Sequence, residues 1–161
     1  MSAAYTVRVA GDAADRDACF RVRKEVFVVE QGVPQDIEYD AFDAADGAGA
    51  DTVHVLAVRE DGVPLGTGRL LHGEAAAAKT GGDPTVGSLG RLAVTGDARG
   101  LGVGAALVRA IEDAARARGL AAVDLHAQTH ALGFYERLGY EAYGPEFPDA
   151  GIPHRAMRRS L

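Results

Sequence analysis

The spacing of apolar residues changes along the chain, and each change predicts an element. Tyr5, Val7 and Val9 alternate with Thr6 and Arg8, the two-residue period of a short strand. From Asp12 or Asp15, either able to cap, the spacing becomes helical to about Phe27, with Cys19, Val22 and Val26 on one face and Arg16, Arg23 and Lys24 elsewhere. The acidic stretch Asp36 to Asp51 reads as a loop whose small, glycine-rich end, residues 44–50, is pliable. Thr52 to Arg59 and Val63 to Leu71 are apolar runs joined by Glu60-Asp61-Gly62, a hairpin signal. A second loop, His72 to Pro84, leads to the strand-like Thr85 to Val94, whose Gly87 and Gly90 mark a bulge or a close approach.

Helical spacing returns from Gly102 to Arg118 through Val103, Leu107, Ile111 and Ala114. Arg116 and Arg118 in the last turn and Gly119 beyond it are what helix termination favours. Ala122 to Ala127 predicts a buried strand, Ala131 to Leu138 a short helix stopped by Gly139, and Tyr140 to Tyr143 and Ile152 to Arg158 final strands. A strand–helix–strand–helix order after hairpins predicts an α/β chain with helices packed on a mixed sheet.

Composition narrows the classes. The chain has 161 residues, of which 47% are apolar and 25% charged. That fits one soluble domain, 1–161, able to bury a core without disulfide or metal. No apolar run reaches the ~18 residues of a membrane span, and no basic-then-apolar leader opens the chain, so a cytoplasmic protein is expected. The single cysteine, Cys19, reads as core filler. A net charge of −6 argues against a nucleic-acid surface and for a small-molecule or peptide partner, with a homodimer left open.

The candidate chemistry starts at Arg99-Gly100-Leu101-Gly102-Val103-Gly104, between a strand-like run and a helix. Glycines bring backbone N–H groups close to a ligand, and a helix N-terminus favours an anion. No Asp or Glu lies between Gly100 and Arg109, so an external anion could take the place a first-turn carboxylate usually fills. A dinucleotide loop fits poorly, since about 90 residues precede the motif and about 57 follow. A nucleotide P-loop is excluded because G-x-x-x-x-G-K is absent. A turn that merely lets helix and sheet pack stays open on the hexapeptide alone.

Joined to Gly90-Arg91-Leu92-Ala93-Val94, Gln128 and Phe134-Tyr135-Glu136-Arg137-Leu138-Gly139-Tyr140, the loop resembles the GCN5-related N-acetyltransferase (GNAT) superfamily, whose R/Q-x-x-G-x-G/A motif is met by Arg99, Gly102 and Gly104. Val26-Phe27-Val28-Val29-Glu30-Gln31, the acidic Pro34 to Asp43 segment, Ala127-Gln128-Thr129-His130, Glu146-Phe147 and Gly151-Ile152-Pro153-His154 are similar to the ElaA-like branch. The chain departs from that branch with Gln35 after the proline and Ala150 before Gly-Ile-Pro-His. The resemblance implies the acyl-CoA N-acyltransferase fold, a mostly antiparallel twisted sheet splayed between its fourth and fifth strands and flanked by helices. It further implies acetyl-CoA as cosubstrate, no metal, and direct transfer of acetyl to a primary amine.

By that resemblance, the backbone of Arg99, Gly100, Leu101, Gly102, Val103 and Gly104 holds the diphosphate, Leu92, Ala93 and Val94 line the pantetheine arm, and Gln128 reaches the carrier or a water. Tyr135 is the expected general acid, since a phenol protonated at neutral pH can protonate a thiolate. The amine needs a base, and the sequence names no unique one among Glu30, Glu38, Asp40, Asp43 and His54; Glu38 and His54 are the expected pair. Glu30, Gln31, Asp40 and His154 are expected at the acceptor. His126 and His130 lack a His-Glu-x-x-His pattern, so no metal site is expected. The acidic cluster Asp36, Glu38, Asp40 and Asp43 reads as a cation-attracting rim, with Arg69 and Arg91 neutralising Glu30 or Glu38. A noncatalytic acyl-CoA-binding module and a purely structural domain are the remaining classes.

Overall fold

The protein is described from a computed structural model that covers residues 4–45 and 49–161; the middle of the predicted glycine-rich loop therefore lies outside the described residues. Alternating runs make strands β1 (Tyr5–Val9), β2 (Thr52–Arg59), β3 (Pro64–Leu71), β4 (Val86–Val94), β5 (Ala122–Gln128), β6 (Glu141–Asp149) and β7 (Ile152–Ser160). They form one seven-stranded sheet in the order β1-β2-β3-β4-β5-β7-β6. All neighbours are antiparallel except β4 and β5, which are parallel. The Asp61-Gly62 turn forms as its sequence predicts, for Gly62 has φ +89° and its N–H donates to the Arg59 carbonyl at 2.8 Å.

Helix α4 (Val103–Ala117) lays Val103, Leu107, Val108 and Ile111 on the sheet against Val55, Leu70, Leu89 and Leu125. Leu107 and Ile111 are fully buried, each contributing roughly 1.5–3 kcal/mol of apolar burial. The helix comes this close because β3 carries glycines beneath it. A Cβ at Gly66 would meet Leu107 Cδ1 at 2.9 Å, and one at Gly68 would meet Ile111 Cδ1 at 2.8 Å. Glu112, also fully buried, accepts hydrogen bonds from Tyr140 Oη at 2.8 Å and Arg159 at 2.7 Å, which ties α4 to the end of the chain.

Helix α1 (Ala13–Arg23) covers the opposite face, with Ala18 and Cys19 on Leu56 and Val58. Asp12 is its cap, accepting from the Asp15 N–H at 2.8 Å. The predicted continuation to Phe27 is corrected: the α-helix stops at Arg23, and Lys24–Glu30 form a π-helical turn in which the Gln31 N–H reaches back to the Val26 carbonyl at 3.0 Å. The wider turn lets Val26 pack on Ala93 of β4.

Both predicted loops contain structure. The acidic stretch holds helix α2 (Gln35–Glu38) and a 3-10 turn at Ala41–Asp43, and His72 to Pro84 holds a 3-10 turn and helix α3 (Ala77–Thr80). The acidic stretch folds because its charges are needed inside. Arg23, 1% exposed, donates to Asp43 through both terminal nitrogens at 2.7 and 2.8 Å and to Glu38 through Nε at 2.6 Å. Arg69, equally buried, is bidentate to Asp40 at 2.8 and 2.9 Å.

The feature that positions a site is the divergence of β4 from β5. They pair only from Val86–Ala122 to Leu89–Leu125. Past that point β4 stays beside β3 as far as Val94, while β5 stays beside β7 as far as Gln128. The sheet thus opens between residues 90–94 and 126–128.

Candidate active site

A cavity of about 760 Å³ fills this opening. One end is walled by Val94, Gly100, Gly102, Gly104, Phe134 and Tyr135; the other by Glu38, Lys79, Arg91, His126, Asp149 and His154. Helix α5 (Leu132–Arg137) supplies Phe134 and Tyr135 to the first end, and α2, α3 and the β6–β7 hairpin close the second.

At the first end the loop into α4 has the geometry of an anion cradle. Gly102 has φ +80°, a left-handed backbone that favours glycine. The first intrahelical bond runs from the Ala106 N–H to the Gly102 carbonyl, so the N–H groups of Val103, Gly104 and Ala105 have no helical partner. The first turn contains no acid. A Cβ on Gly104 would meet Phe134 Cζ at 3.2 Å, so the glycine keeps the cradle floor open. These features fit a diphosphate. Arg99 stands beside them, but its Nε donates to the Val94 carbonyl at 3.0 Å and its terminal nitrogen pairs with Glu30 at 2.7 Å.

In the middle, β4 bulges. Thr67 and Arg69 of β3 stand opposite Ala93 and Gly90, leaving Arg91 and Leu92 without register partners on β3, and β5 has already departed. Arg91 takes φ +52°, rare for a residue with a Cβ. The regular ladder is thus broken at Arg91 and Leu92, both of which line the cavity. Tyr135, 8% exposed, lines the same cavity. Burial pushes its phenol well above the ordinary tyrosine value, so it stays protonated. Gln128 bridges the opening, donating to Gln31 Oε1 at 2.9 Å, with His130 Nε2 at 2.6 Å from its own Oε1.

The structure gathers most of the sequence-predicted residues. Glu30, Gln31, Glu38, Leu92, Ala93, Val94, Arg99, Gly100, Gly102, Val103, Gly104, Gln128, Tyr135 and His154 all line the cavity. Leu101 does not; its side chain lies on the outside, and its role can only be through its backbone. Glu30 sits on Arg99 rather than at the acceptor end. Asp40 is drawn away from the cavity by Arg69 and Arg91.

Two expectations are corrected outright. His54 is not in the cavity, since it is 5% exposed and packs edge-on against Phe20. Burial pushes its imidazole down to about 4, which makes it a neutral interior group. Nor do the acidic residues form a cation-attracting rim, because Glu38, Asp40 and Asp43 are consumed by Arg23, Arg69 and Arg91. Three residues that sequence reasoning missed line the acceptor end, namely Lys79, His126 and Asp149. His126 was legible in principle, being two positions before Gln128 and therefore on the same side of its strand. Lys79 and Asp149 were not, since a four-residue helix and a hairpin tip are too short to show a period.

No helix among the described residues is long and apolar enough to cross a membrane, and no group of residues there could hold a metal. Residues 23–161 match the model of the acetyltransferase (GNAT) domain. The uncharacterised N-acetyltransferase YjcF of Bacillus subtilis (strain 168) is 37% identical over 141 residues, 87% of this chain and 89% of its own. An acyl-CoA N-acyltransferase from Pseudomonas aeruginosa superposes with a TM-score of 0.76 at 32% identity, over 98% of this chain and 99% of that one. Escherichia coli ElaA does so with a TM-score of 0.76 at 26% identity over the same shares. The cradle, the split sheet and these likenesses agree: the chain is an acyltransferase of the GNAT family, in its ElaA-like branch.

Proposed function

We propose that the protein transfers an acetyl group from acetyl-CoA to a primary amine by direct attack within a ternary complex, in the cytoplasm. One observation carries this reading: a single cavity runs from the glycine-rich start of α4 past the interrupted β4 ladder at Arg91 and Leu92 to a second, differently charged end. That is the shape needed to hold a phosphate-bearing carrier at one end and an acceptor at the other.

The carrier supplies an activated acyl group as a thioester. The N–H groups of Val103, Gly104 and Ala105 hold its diphosphate, and the backbone of Leu92 to Val94 pairs with the amides of its arm. A main-chain N–H of the bulge polarises the thioester carbonyl. The amine lone pair forms the new C–N bond, the C–S bond breaks, and Tyr135 Oη gives its proton to the departing sulfur. The amine's surplus proton leaves through cavity water. Glu38 lines that path, but its Oε1 is held by Arg23 at 2.6 Å. His126 is the better-placed acceptor, because burial lowers its imidazole below the ordinary histidine value and keeps it neutral near pH 7.

Free-thiol release from acetyl-CoA, measured across a panel of primary amines, tests the reaction. Amine-dependent release supports it. Binding of CoA without release under any amine replaces it with a noncatalytic acyl-CoA-binding module.

A further inference from the structure

The charges at the acceptor end carry a second conclusion, which rests on the acyl-transfer reading. Four charged side chains line that end: Glu38, Lys79, Arg91 and Asp149. Glu38 is closed by Arg23 at 2.6 Å. Arg91 donates from Nε to the Glu38 carbonyl at 3.1 Å and from Nη2 to the Ile37 carbonyl at 3.4 Å, and on that same edge it pairs with Asp40 at 3.4 Å and the Glu38 carboxylate at 3.6 Å, so only its Nη1 edge has no protein partner among the described residues. Lys79 has no ion-pair partner among the described residues. It is drawn below the ordinary lysine value first by burial and then by the neighbouring charges of Arg69 and Arg91, against which Asp149 and Asp40 act the other way. A half-buried ammonium that lines the same cavity wall as Arg91 and has no carboxylate paired to it favours an anionic group in that space. Asp149, exposed at the hairpin tip, stands in the same space as the counterpart for a cation.

We propose that the acceptor is an amine bearing its own anionic group, a carboxylate or a phosphate, and that Lys79 and the free Nη1 edge of Arg91 grip that group. The amine then lies toward His126 and Asp149. Polyamines and plain alkylamines lack the group that these two cations require, and Asp149 is the one carboxylate among the described residues that they meet there without an arginine partner, because Glu38, Asp40 and Asp43 are spent on Arg23 and Arg69. Lys79 is thus a specificity-determining residue rather than a catalytic one.

The test uses the whole chain, acetyl-CoA and pairs of amines matched except for charge: 4-aminobutyrate against butylamine, glycine against glycinamide, phosphoethanolamine against ethanolamine, with spermidine as the cationic extreme. The acidic member of at least one pair is expected to have a kcat/KM at least about tenfold above its neutral partner, and which pair responds tells carboxylate from phosphate. Lys79→Met raises KM for that acceptor by about tenfold while KM for acetyl-CoA stays within about twofold, and Lys79→Arg restores much of the loss. Neutral amines or spermidine turning over as well as the acidic ones, or an unchanged acceptor KM in Lys79→Met, overturns the proposal and leaves acyl transfer standing. Failure of every amine to release thiol, with CoA bound, removes acyl transfer and this proposal with it.

Discussion

Glu30 and Arg99 meet at 2.7 Å across the cavity wall, the carboxylate on the π-helical turn and the guanidinium on the loop that enters α4. Arg99 is therefore positioned by a carboxylate that a diphosphate must rival. Both side chains are nearly half exposed, which limits the strength of the pair. Glu30→Gln is expected to lower KM for acetyl-CoA about twofold to fivefold by freeing the arginine, and Arg99→Ala to raise it by about tenfold. The double variant should match Arg99→Ala alone, because Glu30 acts through Arg99. Independent, additive effects of the two substitutions would refute that coupling.

Tyr135 packs edge-on against Phe134 and Tyr140, and its hydroxyl has no hydrogen-bond partner among the described residues. Tyr135→Phe thus costs little stability, with Tm staying within a few degrees, but removes the proton donor. The expected loss is about 10²-fold or more in kcat with KM for acetyl-CoA unchanged. Steady-state kinetics beside a thermal melt reads both; a full-strength kcat would strip Tyr135 of its role.

His54 and His126 separate by their effects. Because the folded state holds His54 neutral down to about 4 while the unfolded chain takes up a proton near 6.5, stability falls as pH drops from 6.5 toward 4. His54→Gln should flatten that part of the stability profile and leave the pH dependence of kcat/KM in place. His126→Gln should do the reverse, lowering kcat/KM and abolishing its rise with pH below neutrality. Denaturant melts and rate profiles over the same pH range compare the two.

The pair of Arg23 and Asp43 holds the acidic segment against the end of α1. Arg23 beside it keeps the buried Asp43 carboxyl far below the usual carboxylate range. That contribution is complete above the unfolded carboxylate value of about 3.9 and is lost as pH falls below it. Asp43→Asn leaves Arg23 buried with half its partners gone and should cost about 3–5 kcal/mol in denaturant unfolding. A cost under about 1 kcal/mol would show that the network is solvated.

The amino-acid pattern alone determined most strands of the sheet, the hairpin at Asp61-Gly62 and the long helix with its glycine-rich entry, because each depends on neighbours a few residues away; it left the first cap open between Asp12 and Asp15 and read only the start of β6, which runs on to Asp149. The Arg99 to Gly104 motif was legible for the same reason: one backbone turn and one helix start make the cradle. Folding in three dimensions decided which charges are free. Glu38, Asp40 and Asp43 look like a solvent-facing acidic run until Arg23, 15 to 20 residues away, and Arg69, 26 to 29 away, enclose them. His54 looks like a base until burial beneath Phe20 neutralises it, and Lys79 emerges from a stretch with no period to read. A carboxylate's or an ammonium's availability depends on which opposite charge the fold brings beside it and how much water it removes, and neither quantity is local in the chain.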